Sequence, residues 1–284
     1  MYDAAIIGTG PAGLSAALNL KIHGKKIIWL GSKEICEKVE KAEQIMNYPG
    51  FPGSTGSELT EAFRRQAREM ELEATDLMVN SIVSMGDYYA LMAGSEFVEA
   101  KTILLTTGIT RVGTLERETE LLGRGVSYCA TCDGLLYRGR TIGVISTSPR
   151  FEAEVEYLAG LAEKVYLFAR YKNCGVDLPN VEIVREIPRA IKGENRVEAV
   201  GCADGTKYAV DGVFCLRTAI RLNTLLPGLE TVDGHIAVDR KMETNMSGCF
   251  AAGDCTGRPY QYAKAIGEGN VAAHSILDYL AEKG

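Results

Sequence analysis

Ala4 to Ile7 is an apolar, branched-rich run that passes straight into Gly8-Thr9-Gly10-Pro11-Ala12-Gly13 and then into the Ala- and Leu-rich segment Leu14 to Ile22. A strand, a glycine turn and a helix in immediate succession leave few folds open, because each glycine has a separate task. Gly8 permits the sharp strand-to-helix turn, Gly10 lets the backbone approach a pyrophosphate, and Gly13 allows the helix to pack close on the strand. The helix N-terminus then faces the phosphate charge. His23-Gly24 ends the helix and Lys26 to Leu30 forms the next strand, completing a βαβ unit. A GxGxxG string alone also occurs in glycine-rich turns of unliganded α/β proteins. Here the strand before it and the helix after it supply the context of a bound dinucleotide.

The unit recurs, as strand Thr141 to Ile145, helix Phe151 to Ala162 and strand Lys164 to Ala169, so the chain holds an internal repeat of one fold. The second turn has lost its glycines and reads Ser146-Thr147-Ser148-Pro149-Arg150-Phe151. Ser148 adds a Cβ where a pyrophosphate should approach, Pro149 removes a backbone donor, and Phe151 crowds the helix against the strand. Glu152, Glu154 and Glu156 then line the helix that would face the phosphates, where acids satisfy the helix dipole and repel an anion.

Between the repeats, Asn47-Tyr48-Pro49-Gly50-Phe51-Pro52-Gly53 is too rich in Pro and Gly for regular structure. Ser57 is expected to cap a helix from Glu58 to about Glu71, which bears Arg64, Arg65 and Arg68. Leu77 to Val83, Tyr88 to Met92 and Phe97 to Ala100 alternate as an antiparallel meander before a parallel strand Thr102 to Thr106. Late in the chain, His235 to Val238 and Cys249 to Ala252 read as strands, the latter stopped by Gly253-Asp254, and a helix runs from about Gln261 to Tyr279. The expected fold class is α/β, two Rossmann-like (three-layer ββα) domains, the second inserted into the first. The first domain comprises residues 1–111 and 218–284 and the second residues 112–217, with hinges near Arg111 and Arg217.

The 284 residues, 46% hydrophobic and 24% charged, suffice for two cores. With 31 basic and 37 acidic side chains the net charge is −6, so no overall positive field steers phosphate backbones and no nucleic-acid partner is expected. Met1-Tyr2-Asp3 enters the first strand directly, which predicts no signal peptide, and no run approaches the roughly 20 apolar residues of a membrane span. No membrane association is expected. Of eight cysteines only Cys129 and Cys132 are closely spaced, a usage that fits free thiols in a reducing cytoplasm plus one special pair.

Cys129-Ala130-Thr131-Cys132-Asp133 can be half of a zinc site, two inert buried cysteines, or a redox dithiol. No second CxxC exists and His23, His235 and His274 are all distant in sequence, so no metal is expected. Asp133 could take up or deliver a thiol proton where no histidine is near, which favours thiol chemistry. Cys36, Cys174, Cys202, Cys215, Cys249 and Cys255 read as small buried hydrophobes.

With these residues in view, the chain resembles the low-molecular-weight thioredoxin reductases over nearly its whole length. The resemblance is carried by Gly8 to Gly13, Asn47-Tyr48-Pro49-Gly50, Thr106-Thr107-Gly108, the segment Gly123 to Gly134 around Cys129 and Cys132, and Phe250-Ala251-Ala252-Gly253-Asp254 with Gln261. It implies a homodimer with FAD in the first domain. The implied flavin contacts are Gly8, Gly10, Pro11, Ala12, Gly13, Gly31, Ser32, Asn47, Thr107, Gly108, Gly253, Asp254, Gln261 and Ala263. Asp254 would hydrogen-bond the ribityl chain, and Tyr260 stands where the family usually has an arginine. Glu34 comes late for the acidic residue that holds the adenosine ribose, leaving Ser32 or backbone groups to substitute. The family further implies Cys132 beside the flavin, Cys129 attacking the thioredoxin disulfide and Asp133 as the acid-base group.

Family members that use NADPH have a glycine turn and a His-Arg-Arg cluster in the inserted domain. Here Ala169-Arg170-Tyr171 leaves one guanidinium, and Leu216-Arg217-Thr218-Ala219 lacks a glycine near the second hinge. In these departures the chain is similar to the ferredoxin-dependent flavin thioredoxin reductases. The expected route runs from reduced ferredoxin to FAD, to the Cys129 and Cys132 pair, and on to thioredoxin. Two other readings stay open, an NAD(P)H-dependent thioredoxin reductase with an atypical nucleotide site and a flavin redox sensor without turnover. An acidic ferredoxin calls for a basic face, for which Arg64, Arg65, Arg68, Arg217, Arg221 and Lys264 are candidates. Because Cys132 must serve the flavin and Cys129 a protein substrate, a rotation between the domains is expected.

Overall fold

The computed structural model describes residues 1–40, 42–108, 115–128, 130–217 and 222–283. The chain divides into two compact units, Met1–Thr110 with Arg221–Gly284, and Arg111–Ile220. Of the expected features, Cys129, Arg221 and the hinge at Arg111 lie outside the described residues, and Arg217 belongs to the second unit, at the end of its last strand.

The first unit opens with β1 (Tyr2–Ile7), α1 (Pro11–Ile22) and β2 (Ile27–Gly31). A short α2 (Glu37–Glu40) and the amphipathic α3 (Gly56–Glu69) follow. The cap of α3 is Thr55 and not the expected Ser57, because Glu58 sits three residues after Thr55 and closes a reciprocal capping box. The Thr55 hydroxyl accepts from the Glu58 N–H at 3.2 Å, and the Glu58 carboxylate accepts from the Thr55 N–H at 2.7 Å. Thr55→Ala is expected to remove the first of these bonds and lower stability by about 1 kcal/mol, read from the chemical denaturation midpoint.

Next come β3 (Thr75–Asp76), β4 (Val79–Ser84), β5 (Tyr89–Ala93) and β6 (Glu96–Leu105). The separate strands expected at Phe97 to Ala100 and at Thr102 to Thr106 are one strand, β6, whose burial pattern changes along its length. Its first half alternates, with Val98 and Ala100 buried and Phe97 and Lys101 exposed, and pairs antiparallel with β5. From Thr102 onward every residue is buried, as in a parallel strand covered on both faces.

The second unit holds β7 (Val126–Ser127), α4 (Ala130–Asp133), β8 (Thr141–Ser146), α5 (Glu152–Ala159) and β9 (Lys164–Ala169). The expected helix from Phe151 to Ala162 is shorter. Pro149–Phe151 forms a 3-10 turn first, since proline and a buried Phe151 tighten the entry, and Gly160 ends α5. Then follow β10 (Val181–Ile183), β11 (Pro188–Lys192), β12 (Ala199–Cys202), β13 (Lys207–Ala209) and β14 (Gly212–Leu216). A parallel sheet in the order β10-β9-β8-β14-β7 packs beside an antiparallel β11-β12-β13 sheet. Val126, Ile145, Phe168, Ile191, Val200 and Val213 share the core they enclose.

The chain re-enters the first unit with α6 (Leu222–Leu225), β15 (Thr231–Val232), β16 (His235–Ile236), β17 (Cys249–Ala251) and α7 (Tyr262–Lys283). The main sheet runs β3-β2-β1-β6-β5-β4, and β17 pairs parallel with the buried half of β6. Both sheets thus share the reversed order of a doubly wound dinucleotide-binding fold, third strand, second, first, then the strand that returns after the meander. No helix among the described residues is long and apolar enough to cross a membrane.

Candidate functional site

In the first unit the glycine turn is built around a single carbonyl. Gly8 takes φ +119°, and its C=O accepts hydrogen bonds from Trp29 Nε1 at 2.8 Å and Thr106 Oγ1 at 3.0 Å. A Cβ at Gly8 would lie 2.2 Å from the Thr106 carbonyl oxygen, and one at Gly13 would lie 2.1 Å from the Gly8 oxygen. The two glycines are therefore required by close approach within the protein itself. Gly10 differs, because a Cβ there would meet nothing within 4 Å. It opens toward the space in front of the N-terminus of α1, which has Pro11 at its start, no capping side chain and no acid in its first turn. An open backbone at Gly10 before an uncapped helix end fits a pyrophosphate.

α1 is buried on almost every side, with Ala12, Leu14, Ala16, Ala17 and Leu20 packed between the sheet and α7. α7 comes close through Gly269, where a Cβ would lie 2.2 Å from the Ala12 oxygen, and Ser15 Oγ donates to the Ile266 carbonyl at 2.8 Å. Sequence reasoning missed Trp29 and Gly269 as parts of this turn. The isolated glycines inside an otherwise regular helix at 267 and 269 were the available signal for the second.

The remaining expected flavin contacts sit in the same unit. Gly31 takes φ +146° at the end of β2 beside Thr9, and Ser32 Oγ accepts from the Glu34 N–H at 3.1 Å. Glu34 itself pairs with Arg64 at 3.1 Å. Asn47, Gln261 and Ala263 are exposed, while Thr107 and Gly108 are half-buried after β6. Gly253 takes φ +88° against Ala12 and α7, and its N–H donates to Glu268 Oε2 at 2.9 Å. Asp254 follows, half-buried, and among the described residues its carboxylate has no hydrogen-bond partner. Burial raises its pKa above the usual carboxylate range, Lys264 and Lys38 pull it down, and Glu268 raises it again. A carboxylate left without a donor just after β17 fits a hydroxyl-bearing ligand such as the ribityl chain of FAD.

In the second unit the cysteine segment leaves the end of β7, which is the edge strand beside β14. Cys132 and Asp133 close the helical turn α4, and Ala130 at its start is buried. Gly134 lies close against α5, where a Cβ would approach the Tyr157 and Leu158 side chains to 3.1 Å. Asp133 is half-buried, and its charge, after burial, helps raise the pKa of Tyr137. Five of the other cysteines are buried, but Cys174 is only half-buried and lies 3.4 Å from the Tyr171 hydroxyl. Burial pushes Cys36 up to about 12 and Cys255 up to about 11.

The turn after β8 is filled by its own side chains. Ser146 is fully buried and donates to the Ser148 carbonyl at 3.1 Å, Ser148 caps the 3-10 turn, and Phe151 is buried in the core. Glu152 Oε1 accepts from the Tyr171 hydroxyl at 3.0 Å and from the Gly175 N–H at 2.9 Å. The residue at the mouth of the helix and the loop beyond β9 are thus tied to each other. Glu154 is also partly buried, which raises its pKa.

Of the five described basic candidates, four are engaged in ion pairs. Arg64 is held by Glu34 and Glu40, Arg68 by Glu61, and Lys264 by Glu268 together with the carbonyls of Gly253 and Gly257. Arg217 is buried and paired with Glu118. Arg221 lies outside the described residues, and Arg65 alone of the others carries no ion pair among them.

The family described as pyridine nucleotide-disulphide oxidoreductase matches residues 2–145 and 166–269, leaving out the stretch 146–165 that contains the altered turn and its helix. A thioredoxin reductase of Listeria innocua is 30% identical over 99% of this chain and 95% of its own length. Crystal structures of a ferredoxin-flavin thioredoxin reductase from Clostridium acetobutylicum are 42% and 44% identical, with TM-scores of 0.90 and 0.91, covering 99% of this chain and 98% of theirs. With the first glycine turn, the open Gly10 and the unpartnered Asp254, these matches establish that the chain belongs to the pyridine nucleotide-disulphide oxidoreductase family, as a FAD-binding flavoprotein disulfide reductase of the thioredoxin reductase group.

Proposed function

We propose that this enzyme reduces thioredoxin with electrons from ferredoxin, through FAD and the Cys129 and Cys132 pair. The observation that carries the choice of donor is the Glu152 bridge to Tyr171 and Gly175 across the second turn. A nucleotide entering there would have to break two hydrogen bonds to a carboxylate, displace that charge from the path of its own phosphates and find a backbone donor where Pro149 has none. Two further facts support the reading. The family match lapses over residues 146–165, and the Clostridium enzyme whose name includes ferredoxin shares more identity with this chain than does the Listeria relative.

Bound FAD supplies the step from single-electron donors to the two-electron reduction of the cysteine pair. Two electrons and two protons convert the Cys129 and Cys132 disulfide to two thiols. The Cys129 thiolate attacks one sulfur of the thioredoxin disulfide and the other leaves as a thiolate. Cys132 then attacks Cys129 in the mixed disulfide, releasing reduced thioredoxin and restoring the pair. Asp133, one residue after Cys132, carries the proton between these steps. A homodimer working in a reducing, cytoplasmic compartment belongs to the same reading, and so does the inserted second domain as a redox module that kept a nucleotide-binding fold without its ligand.

Anaerobic mixing of the purified flavoprotein with NADPH, NADH or photoreduced ferredoxin tests the donor. Ferredoxin is expected to bleach the flavin at least about a hundredfold faster than either nucleotide, the scale of a lost binding site of about 3 kcal/mol. Rapid bleaching by NADPH would instead favour the atypical nucleotide enzyme, and bleaching by ferredoxin without thioredoxin turnover would favour a sensor.

A further inference from the structure

Glu118 is fully buried and holds three segments of the second unit with one carboxylate. Its Oε1 receives Arg217 Nη1 at 2.6 Å and the Tyr128 hydroxyl at 3.1 Å, and its Oε2 receives the Leu115 N–H at 2.8 Å. Leu115 is the first described residue after segment 109–114, Arg217 is the last before segment 218–221, and Tyr128 directly precedes Cys129. The boundaries between the two units, at 110/111 and 220/221, fall within these two segments.

A buried ion pair is a poor device for stability alone, because its desolvation offsets much of its attraction and apolar residues of similar size do as well or better. Directional bonds do what apolar packing cannot, which is to set one segment relative to another. The need for such a bond is local. β7 is only two residues long, and its pairing with β14 ends at Ser127. Among the described residues, the Tyr128 hydroxyl on Glu118 lies between the end of that pairing and buried Ala130. Burial and the Glu118 charge raise the Tyr128 pKa, so the phenol stays protonated and remains a donor over the working pH range.

We propose that Glu118 is a positioning residue for disulfide exchange, fixing Tyr128, the residue before Cys129, to Leu115 and Arg217 at the two ends of the described part of the second unit. The proposal rests on Cys129 and Cys132 being the redox pair. Thiol exchange needs the attacking sulfur aligned with the disulfide, and small displacements of a reacting atom carry large rate penalties. The position of Glu118 in this constellation also assigns Arg217 a role inside the domain in place of the surface role expected of it.

The test is Tyr128→Phe in the holoenzyme, with Glu118→Gln and the double variant. Flavin reduction, driven photochemically and separately by reduced ferredoxin, is expected to keep its wild-type rate. The kcat for thioredoxin is expected to fall about tenfold, the scale of one hydrogen bond to a charged group, with KM within about twofold. If Tyr128 acts through Glu118, the double variant falls no further than Glu118→Gln alone. Should Glu118→Gln fail to fold, Tyr128→Phe decides by itself. An unchanged kcat overturns the proposal, and so does a raised KM at normal kcat, which would make Tyr128 a contact for thioredoxin. Cys129→Ser runs alongside. If it still reduces thioredoxin, the assignment of the redox pair fails; if it is dead while Tyr128→Phe is normal, the pair stands and only the Glu118 proposal is lost.

Discussion

Cys132→Ser is expected to abolish thioredoxin reduction, by at least about three orders of magnitude, while leaving flavin bleaching by reduced ferredoxin intact. Serine matches cysteine closely in shape, so the substitution changes the chemistry and not the chain. It cannot form the disulfide that stores the electron pair, and its hydroxyl stays protonated where a thiolate is needed. Cys129→Ser should give the same loss of turnover by a different route, since the remaining Cys132 thiol can accept no disulfide from thioredoxin. Thiol titration after anaerobic reduction checks the cause, because both variants should gain no paired thiols where the native enzyme does. Persistent thioredoxin reduction in Cys132→Ser would mean that electrons leave the flavin by another path.

Gly13→Ala is expected to yield a protein that loses about 3 kcal/mol or more of stability and purifies without flavin colour. The added methyl would lie 2.1 Å from the Gly8 oxygen, 2.9 Å from Thr106 Oγ1 and 3.1 Å from Trp29 Nε1. Two of these atoms are the hydrogen-bonding groups that hold the turn, so neither can retreat without breaking the bonds to the Gly8 carbonyl. Gly10→Ala separates the two roles of the motif. Its φ of −80° suits alanine and its Cβ meets no protein atom, so the fold should keep its thermal midpoint while flavin retention falls. Equal destabilisation by both substitutions would argue that Gly10 serves the fold and not the pyrophosphate.

Much of this enzyme was legible from local pattern. The first turn, the repeated βαβ unit and the Gly253-Asp254 stop all depend on residues adjacent in sequence, where backbone geometry and spacing dictate what can form. The errors have local causes too. Ser57 borders the helical pattern and so reads as the cap of α3, yet the box is closed by Thr55, whose partner Glu58 lies three residues on. β6 was divided at Lys101 because its period changes there, although one strand simply passes from an alternating to a fully buried environment.

The side-chain ties that give those patterns their meaning join residues far apart in the chain. Glu118 and Arg217 are 99 positions apart, and Glu152 meets Tyr171 and Gly175 across the sheet. Arg217 reads from sequence as a hinge and a candidate docking cation, and only the fold brings it to a buried carboxylate.

The glycines at 8, 10 and 13, and Ser146, Ser148 and Phe151 in their place in the repeat, are legible in the sequence by itself. Steric requirements of a tight turn are set by the backbone of a few consecutive residues, and a sequence records them directly. What only the tertiary structure decided is how the second turn is filled, by a carboxylate bridged to a tyrosine and a backbone amide, and which charges are paired. Those outcomes depend on distances between segments that the chain order does not contain.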